Sequence, residues 1–259
     1  MPKLKAVSAA LSAAFVVFFA LAPAKAQTPR FVSATGSDAN ACTTPAGACR
    51  TFQRAHDAAG AGGKIIALNT GDYSSVVITK SISIIAVGVD AVPFGGSTDK
   101  IVINAGPDDV VYLDGLNIGR DQISADNSGI RFNSGGQLHV RNCVIRRFSR
   151  AGITIAPPGP SRVEISDSKI SNNQNGVIVE PTGSKNVVIF LDRVTVSSNV
   201  DDGIRADGNR AHVRISGSTI IDNGTGLRVL NSGKIISFGN NVVFQNTTNG
   251  EPTATVGLK

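Results

Sequence analysis

The stretch GVIVEPTGSKNVVIFLDRVTVSSNVDDGIRADG, Gly176–Gly208, decides the fold. It opens on glycine and an alternating apolar run, crosses a polar turn, and gives a second apolar run. An Asn-containing turn then returns it to glycine and a further copy of its opening. The same opening recurs as GIRFN, GITIA, GVIVE, GIRAD and GLRVL, beginning at Gly129, Gly152, Gly176, Gly203 and Gly226. The spacings of 23, 24, 27 and 23 residues suit a solenoid turn and are too short for a four-stranded propeller blade of about 40 residues. No recurring L-x-x-L-x-L supports a leucine-rich repeat. Short β-branched strands with Gly/Asn turns at this period describe a parallel β-helix, all-β, each coil wound on the last.

Stacking the copies produces columns. Leu138, Val163, Ile189, Val213 and Ile235 share one position, and Val140, Ile165, Leu191, Ile215 and Ser237 another. Ile145, Ile170, Val196, Ile220 and Val243 close each coil, while His139, Glu164, Phe190, Arg214 and Ile236 alternate outward. Three residues after each closing position stand Phe148, Asn173, Asn199, Asn223 and Asn246. Four asparagines in one register predict a ladder of side-chain amides bonding up the axis. The same residues are expected to supply the left-handed conformation that the turn needs.

Upstream of Gly129 the strands continue more loosely, for about eight coils in total over residues 61–246. In residues 27–60, RTFQRAHDAAG places Phe52, Ala55 and Ala58–Ala59 at helical spacing before a glycine stop. A helix there would cap the open end of the solenoid. Residues 247–259 read as a covering strand or tail, and residues 27–259 as one domain.

Residues 1–26 read as a signal peptide. Lys3 and Lys5 precede an apolar run of 17 residues, Ala6–Ala22, and Ala24-Lys25-Ala26 closes it. The chain is thus expected to be secreted or periplasmic, with no membrane span after cleavage. The leader's three lysines account for half of the formal charge of +6. What remains lacks Lys/Arg blocks and aromatic platforms, with no Trp and two Tyr, which argues against nucleic acid. Cys42 and Cys49 can close a small disulfide in an oxidising compartment, and no Cys/His set has metal-ligand spacing. Cys143 shares a column with Ser168, Val194 and Ser218 and reads as a core thiol. His56, His139 and His212 pair with no nucleophile at a defensible spacing.

RTFQRAHDAAGAGG (Arg50–Gly63), KIIALNTGDY and VVITKSISIIAVG resemble the N-terminal cap and first coil of right-handed β-helix proteins in the pectin-lyase-like superfamily. RFVSATGSDANACTTPAGACRTF (Arg30–Phe52) is similar to exported bacterial β-helix proteins of unassigned activity. The resemblance implies the fold from Arg30 onward; the superfamily's functions are diverse, so it implies no single activity. NVDDGIRA (Asn199–Ala206) resembles the N-x-D-D segment of polygalacturonases, implying Asp201 and Asp202 as hydrolytic carboxylates. Where those enzymes have N-T-D-G, however, this chain has Asn173-Gln174-Asn175-Gly176. Where they have G-H-G it has Gly224-Thr225-Gly226, and Arg214-Ile215-Ser216 matches their R-I-K only in part. Half of the hydrolytic set is missing.

A lyase needs acids for Ca²⁺ and an arginine base. Glu180 and Asp207, in one register, with Arg205 form such a candidate, and Ca²⁺ is the cofactor under that reading alone. Otherwise Asp201, Asp202 and Asp207 are solvated turn residues. The outward row Arg131, Thr154, Ile178, Arg205, Arg228, with Arg146, Arg147 and Arg150 from the adjoining turn, predicts a groove for an acidic polysaccharide or cell-surface glycan. The reading is an exported β-helix scaffold binding a glycan without catalysis. The alternative is a polysaccharide lyase or hydrolase working along the first-strand groove. Neither reading fixes an oligomeric state.

Overall fold

The computed structural model describes residues 28–93, 99–119 and 127–257. The proposed signal peptide lies outside the described residues. Parallel strands wind into three faces. The first face has seven strands, from Val76–Ile78 to Thr225–Leu230. The second has ten, from Arg30–Val32 to Ala254–Thr255, and the third six, from Asn117–Ile118 to Val242–Phe244. Among the described residues the six-stranded face gives about six complete turns, against the eight expected. The earliest coils fall short because Gly71–Asp72 and Ala91–Val92 pair with each other in a separate two-stranded sheet.

The inward columns pair residue for residue along the second and third faces. Leu138, Val163, Ile189, Val213 and Ile235 are in register and wholly buried. Ile145, Ile170, Val196 and Ile220 do the same on the third face. Each β-branched side chain thus covers the one a coil away, and burial of this kind contributes about 1.5–3 kcal/mol per large aliphatic residue. At the N-terminal end the helix Phe52–Ala58 buries Phe52, Ala55 and His56 over the first coil, with the Thr51 side chain accepting from the Arg54 amide. Cys42 and Cys49 form a disulfide in the preceding loop, Cα atoms 5.0 Å apart.

The turn from the third face to the first carries the ladder. The Asn199 Oδ1 accepts from both the backbone N–H and the Nδ2 of Asn173, each at 3.1 Å. Asn223 serves Asn199 in the same way at 3.1 and 2.8 Å, and Asn246 serves Asn223 at 2.9 Å twice. Asn249 closes the C-terminal end by accepting from Asn246. Each Nδ2 also donates back to a third-face carbonyl, as Asn223 does to Val196 at 3.1 Å. The left-handed conformation falls one residue earlier than expected, on Arg147, Asn172, Ser198, Asp222 and Gln245. The ladder asparagine is therefore selected for its amide, and its neighbour takes the positive φ.

The glycine that opens each coil follows from the ladder. A Cβ on Gly203 would lie 2.7 Å from the Gly226 carbonyl and 3.0 Å from the Asn223 Nδ2. Only a residue without a side chain lets the next coil approach there. At the turn from the second face to the third, hydroxyls do similar work: Ser168 Oγ accepts from the Cys143 amide and Ser218 Oγ from Val194. Cys143 is buried in this column, and burial pushes its thiol up to about 12.

Two outcomes follow. Asn199→Leu removes an acceptor used by two buried donors and should destabilise by about 1–3 kcal/mol. Asp201→Ala, on the exposed side of the same turn, should stay within about 0.5 kcal/mol. Thermal melts that rank the pair in the opposite order would move the ladder elsewhere. Cys143 should resist alkylation in the native protein and react on unfolding, as read by mass spectrometry; rapid native labelling would contradict its place in the core.

Candidate functional site

The strand Asp202–Asp207 begins directly after the ladder turn, so its first side chain is held by the scaffold. Asp202 departs from the expectation of a solvated turn. Its side chain is 7% exposed, with Oδ2 3.6 Å from the Arg205 Nη1 and Oδ1 3.9 Å from the Arg228 Nε. Burial raises its carboxyl above the ordinary range, against the opposing pull of Arg228 and Arg205. Asp201 stays exposed and accepts from the Gln174 Nε2 at 2.8 Å. The two adjacent aspartates therefore face different surroundings, Asp202 against two guanidiniums and Asp201 against an amide.

The acids and base of the lyase candidate do not assemble. Register puts Glu180 beside Asp207, one step beyond the Val179–Ala206 pair. The side chains turn to other partners: Glu180 to the Arg150 Nη2, and Asp207 to the Asn231 Nδ2 at 2.7 Å. Arg205 faces Asp202 instead. Among the described residues no three His, Cys, Asp or Glu side chains converge as a metal site would need.

The outward row of the first face is in register, Arg131–Thr154–Ile178–Arg205–Arg228. It is not a continuous groove. Thr154 and Ile178 are fully buried, and Thr154 shares a hydrogen bond with Ser128 at 2.8 Å. The row thus splits in two. Arg131 lies 3.9 Å from Asp99 and donates to Asn133, while Arg205 and Arg228 surround Asp202. Arg146 and Arg147 are exposed on the adjoining turn, where Arg150 holds Glu180.

A different surface has the better-formed depression. On the outer side of the second face, Lys64, Ser83, Tyr112, His139 and Glu164 occupy consecutive rungs of one column. Tyr112, 46% exposed, and His139 stack with ring centroids 4.5 Å apart and planes 9° from parallel. The His139 Nδ1 lies 3.3 Å from the Glu164 Oε2. One column over, Asp114 accepts from the Arg141 Nη2 at 2.8 Å and the Asn142 Nδ2 at 3.0 Å. Apart from Asn142, these residues line a groove of ≈ 380 Å³. Ser83 is the small rung beside the aromatic pair, and exposed Lys64 beyond it makes no ion pair among the described residues. The groove offers a flat aromatic surface, a free ammonium, and paired charges that can exchange hydrogen bonds with hydroxyls. Sequence reasoning missed Tyr112. The signal was present in VVYLD, whose alternation sends tyrosine outward between inward Val111 and Leu113.

The family model described as the right handed beta helix region matches residues 111–252. Among curated proteins nothing matches the chain. Of solved structures, the crystal structure of pectate lyase Pel9A is similar with a TM-score of 0.66 and 17% identity, covering 88% of this chain and 67% of that one. At that identity the likeness is one of fold. The chain belongs to the right-handed β-helix family.

Proposed function

We propose that the protein is an exported β-helix scaffold that binds an acidic polysaccharide in the second-face groove without cleaving it. The observation that carries this reading is the exposed Tyr112 ring, stacked on His139, with Lys64, unpaired among the described residues, two rungs along the same column. A pyranose presents an apolar C–H face to an aromatic ring, and a uronate presents its carboxylate to an ammonium. The Asp114–Arg141 pair and Glu164 supply acceptors and donors for ring hydroxyls. The groove runs across adjacent coils, so an extended chain can meet several at once. Export is supported by the leader-like residues 1–26 and by the Cys42–Cys49 disulfide, which suits an oxidising compartment.

A lyase reading is favoured by one observation, the His139–Glu164 contact in the same groove of a fold shared with a pectate lyase. In it His139 would accept a proton and Glu164 orient the imidazole. The Ca²⁺ expected under that reading finds no fit at Glu180 and Asp207, which hold Arg150 and Asn231.

Retention of the mature protein in a gel containing polygalacturonate tests both readings. Binding should weaken as salt rises, since screening sets in over about 10 Å at 0.1 M. Tyr112→Ala should weaken binding at least about tenfold, equivalent to about 1.4 kcal/mol, with the melting temperature unchanged. No unsaturated product should accumulate, with or without Ca²⁺. Retention unaffected by Tyr112→Ala would remove the groove as the binding surface. Product that disappears in His139→Ala would establish the lyase instead.

A further inference from the structure

The first face carries a second charged cup, separate from the Tyr112 groove. Arg205 and Arg228 are paired in register on adjacent strands, about 4.8 Å apart along the axis. Asp202 lies against both, nearly buried, but its contacts of 3.6 and 3.9 Å are longer than hydrogen bonds. Arg150, by contrast, has Glu180 within direct hydrogen-bond reach. Here two guanidiniums share a single carboxylate. The neighbouring acid, Asp201, is turned to Gln174. The Arg205 Nε is buried with no acceptor among the described residues. Open space of ≈ 350 Å³ lies in front, bounded by Val200, Thr225 and Leu230.

Two guanidiniums and two carboxylates, Asp201 and Asp202, line this cup, but among the described residues neither carboxylate lies within hydrogen-bond distance of an arginine, so the cup has a surplus of unsatisfied guanidinium donors. A planar monoanion with two oxygens matches both the surplus and the fork of an arginine. We propose that the cup binds a carboxylate group, free in solution or carried by a uronic acid, across Arg205 and Arg228. This is a second anion site, independent of the groove. Asp202 competes with the ligand for the same guanidiniums, so its ionisation state sets the affinity.

The charged groups facing Asp202 are Arg205 on its own strand, Asp201 in the turn before it, and Arg228 on the next strand. The preceding strand contributes the Asn175 Oδ1, which accepts the Asp202 amide. Burial already favours the protonated carboxyl, and a bound anion favours it further. Binding therefore takes up a proton. Affinity is highest where Asp202 is protonated in the free protein, and it falls as pH rises through the higher value that Asp202 has with anion bound.

The test uses the mature protein carrying Tyr112→Ala, which disables the groove, and titrates it with galacturonate, acetate and galactose. Binding is followed by calorimetry and by the ¹⁵N–¹H signal of the Arg205 Nε. Galacturonate should bind and move that signal, and galactose should do neither. Acetate matching galacturonate supports recognition of the carboxylate alone, and weaker acetate binding supports a sugar acid. Arg228→Gln, at a half-exposed position that spares the fold, should weaken galacturonate at least tenfold. Asp202→Asn should tighten it several-fold and flatten its pH dependence. Galacturonate binding unaltered by Arg228→Gln, galactose binding equally well, or weaker binding in a folded Asp202→Asn variant would each overturn the proposal.

Discussion

Every coil must satisfy, at a fixed spacing of about 4.8 Å, the backbone and side-chain groups of the coil before it. The strand faces meet this demand with ordinary parallel pairing. The turn from the third face to the first meets it only in part: amides such as those of Ser198 and Val200 bond carbonyls of the neighbouring coil, but the amide at each ladder position finds a side-chain oxygen instead. The Asn173–Asn199–Asn223–Asn246 row resolves the conflict, each Oδ1 taking two donors from its neighbour and each Nδ2 reaching back to a carbonyl. This close approach imposes glycine at the next strand's start, and that glycine fixes where Asp202 and Arg205 stand. The anion cup is thus a by-product of how the ladder is packed.

The two candidate surfaces illustrate one rule of a solenoid. An outward position repeats on every coil, so a site arises where the repeat is broken. On the second face the column runs Lys64, Ser83, Tyr112, His139, Glu164, and the break is a small rung beside an aromatic pair. On the first face it is a buried acid at a position that holds Ser128, Ala151, Asn175 and Thr225 on other coils. Neither break disturbs the inward columns, whose Leu, Val and Ile run on unbroken behind both. Binding chemistry and stability are therefore largely separable here.

Much of the architecture was legible because the repeat is short and regular. The five aligned copies gave the inward columns in their true register, from Leu138–Val163 to Ile220–Val243. The asparagine register was equally visible, though the left-handed residue was placed one position late. Burial on the outer surface was not legible. Alternation says that Thr154 and Ile178 point away from the core, but not that they are buried all the same, and so the arginine row looked continuous. The groove was missed for another reason. Tyr112 lies upstream of the five clear repeats, where strand spacing is irregular, so its alignment with His139 could not be drawn from the period. The sequence places His139 in an outward column, and its stacking on Tyr112 is visible only in the fold.

Hydrogen–deuterium exchange with and without polygalacturonate oligomers measures scaffold and site together. The account predicts that ladder amides such as those of Asn199 and Asn223 are strongly protected in the free protein and unchanged by ligand. New protection should appear on Val110–Asp114 and Gln137–Arg141, with a separate effect at the start of Asp202–Asp207. Rapid exchange at the ladder, or ligand protection confined to the third face, would contradict it.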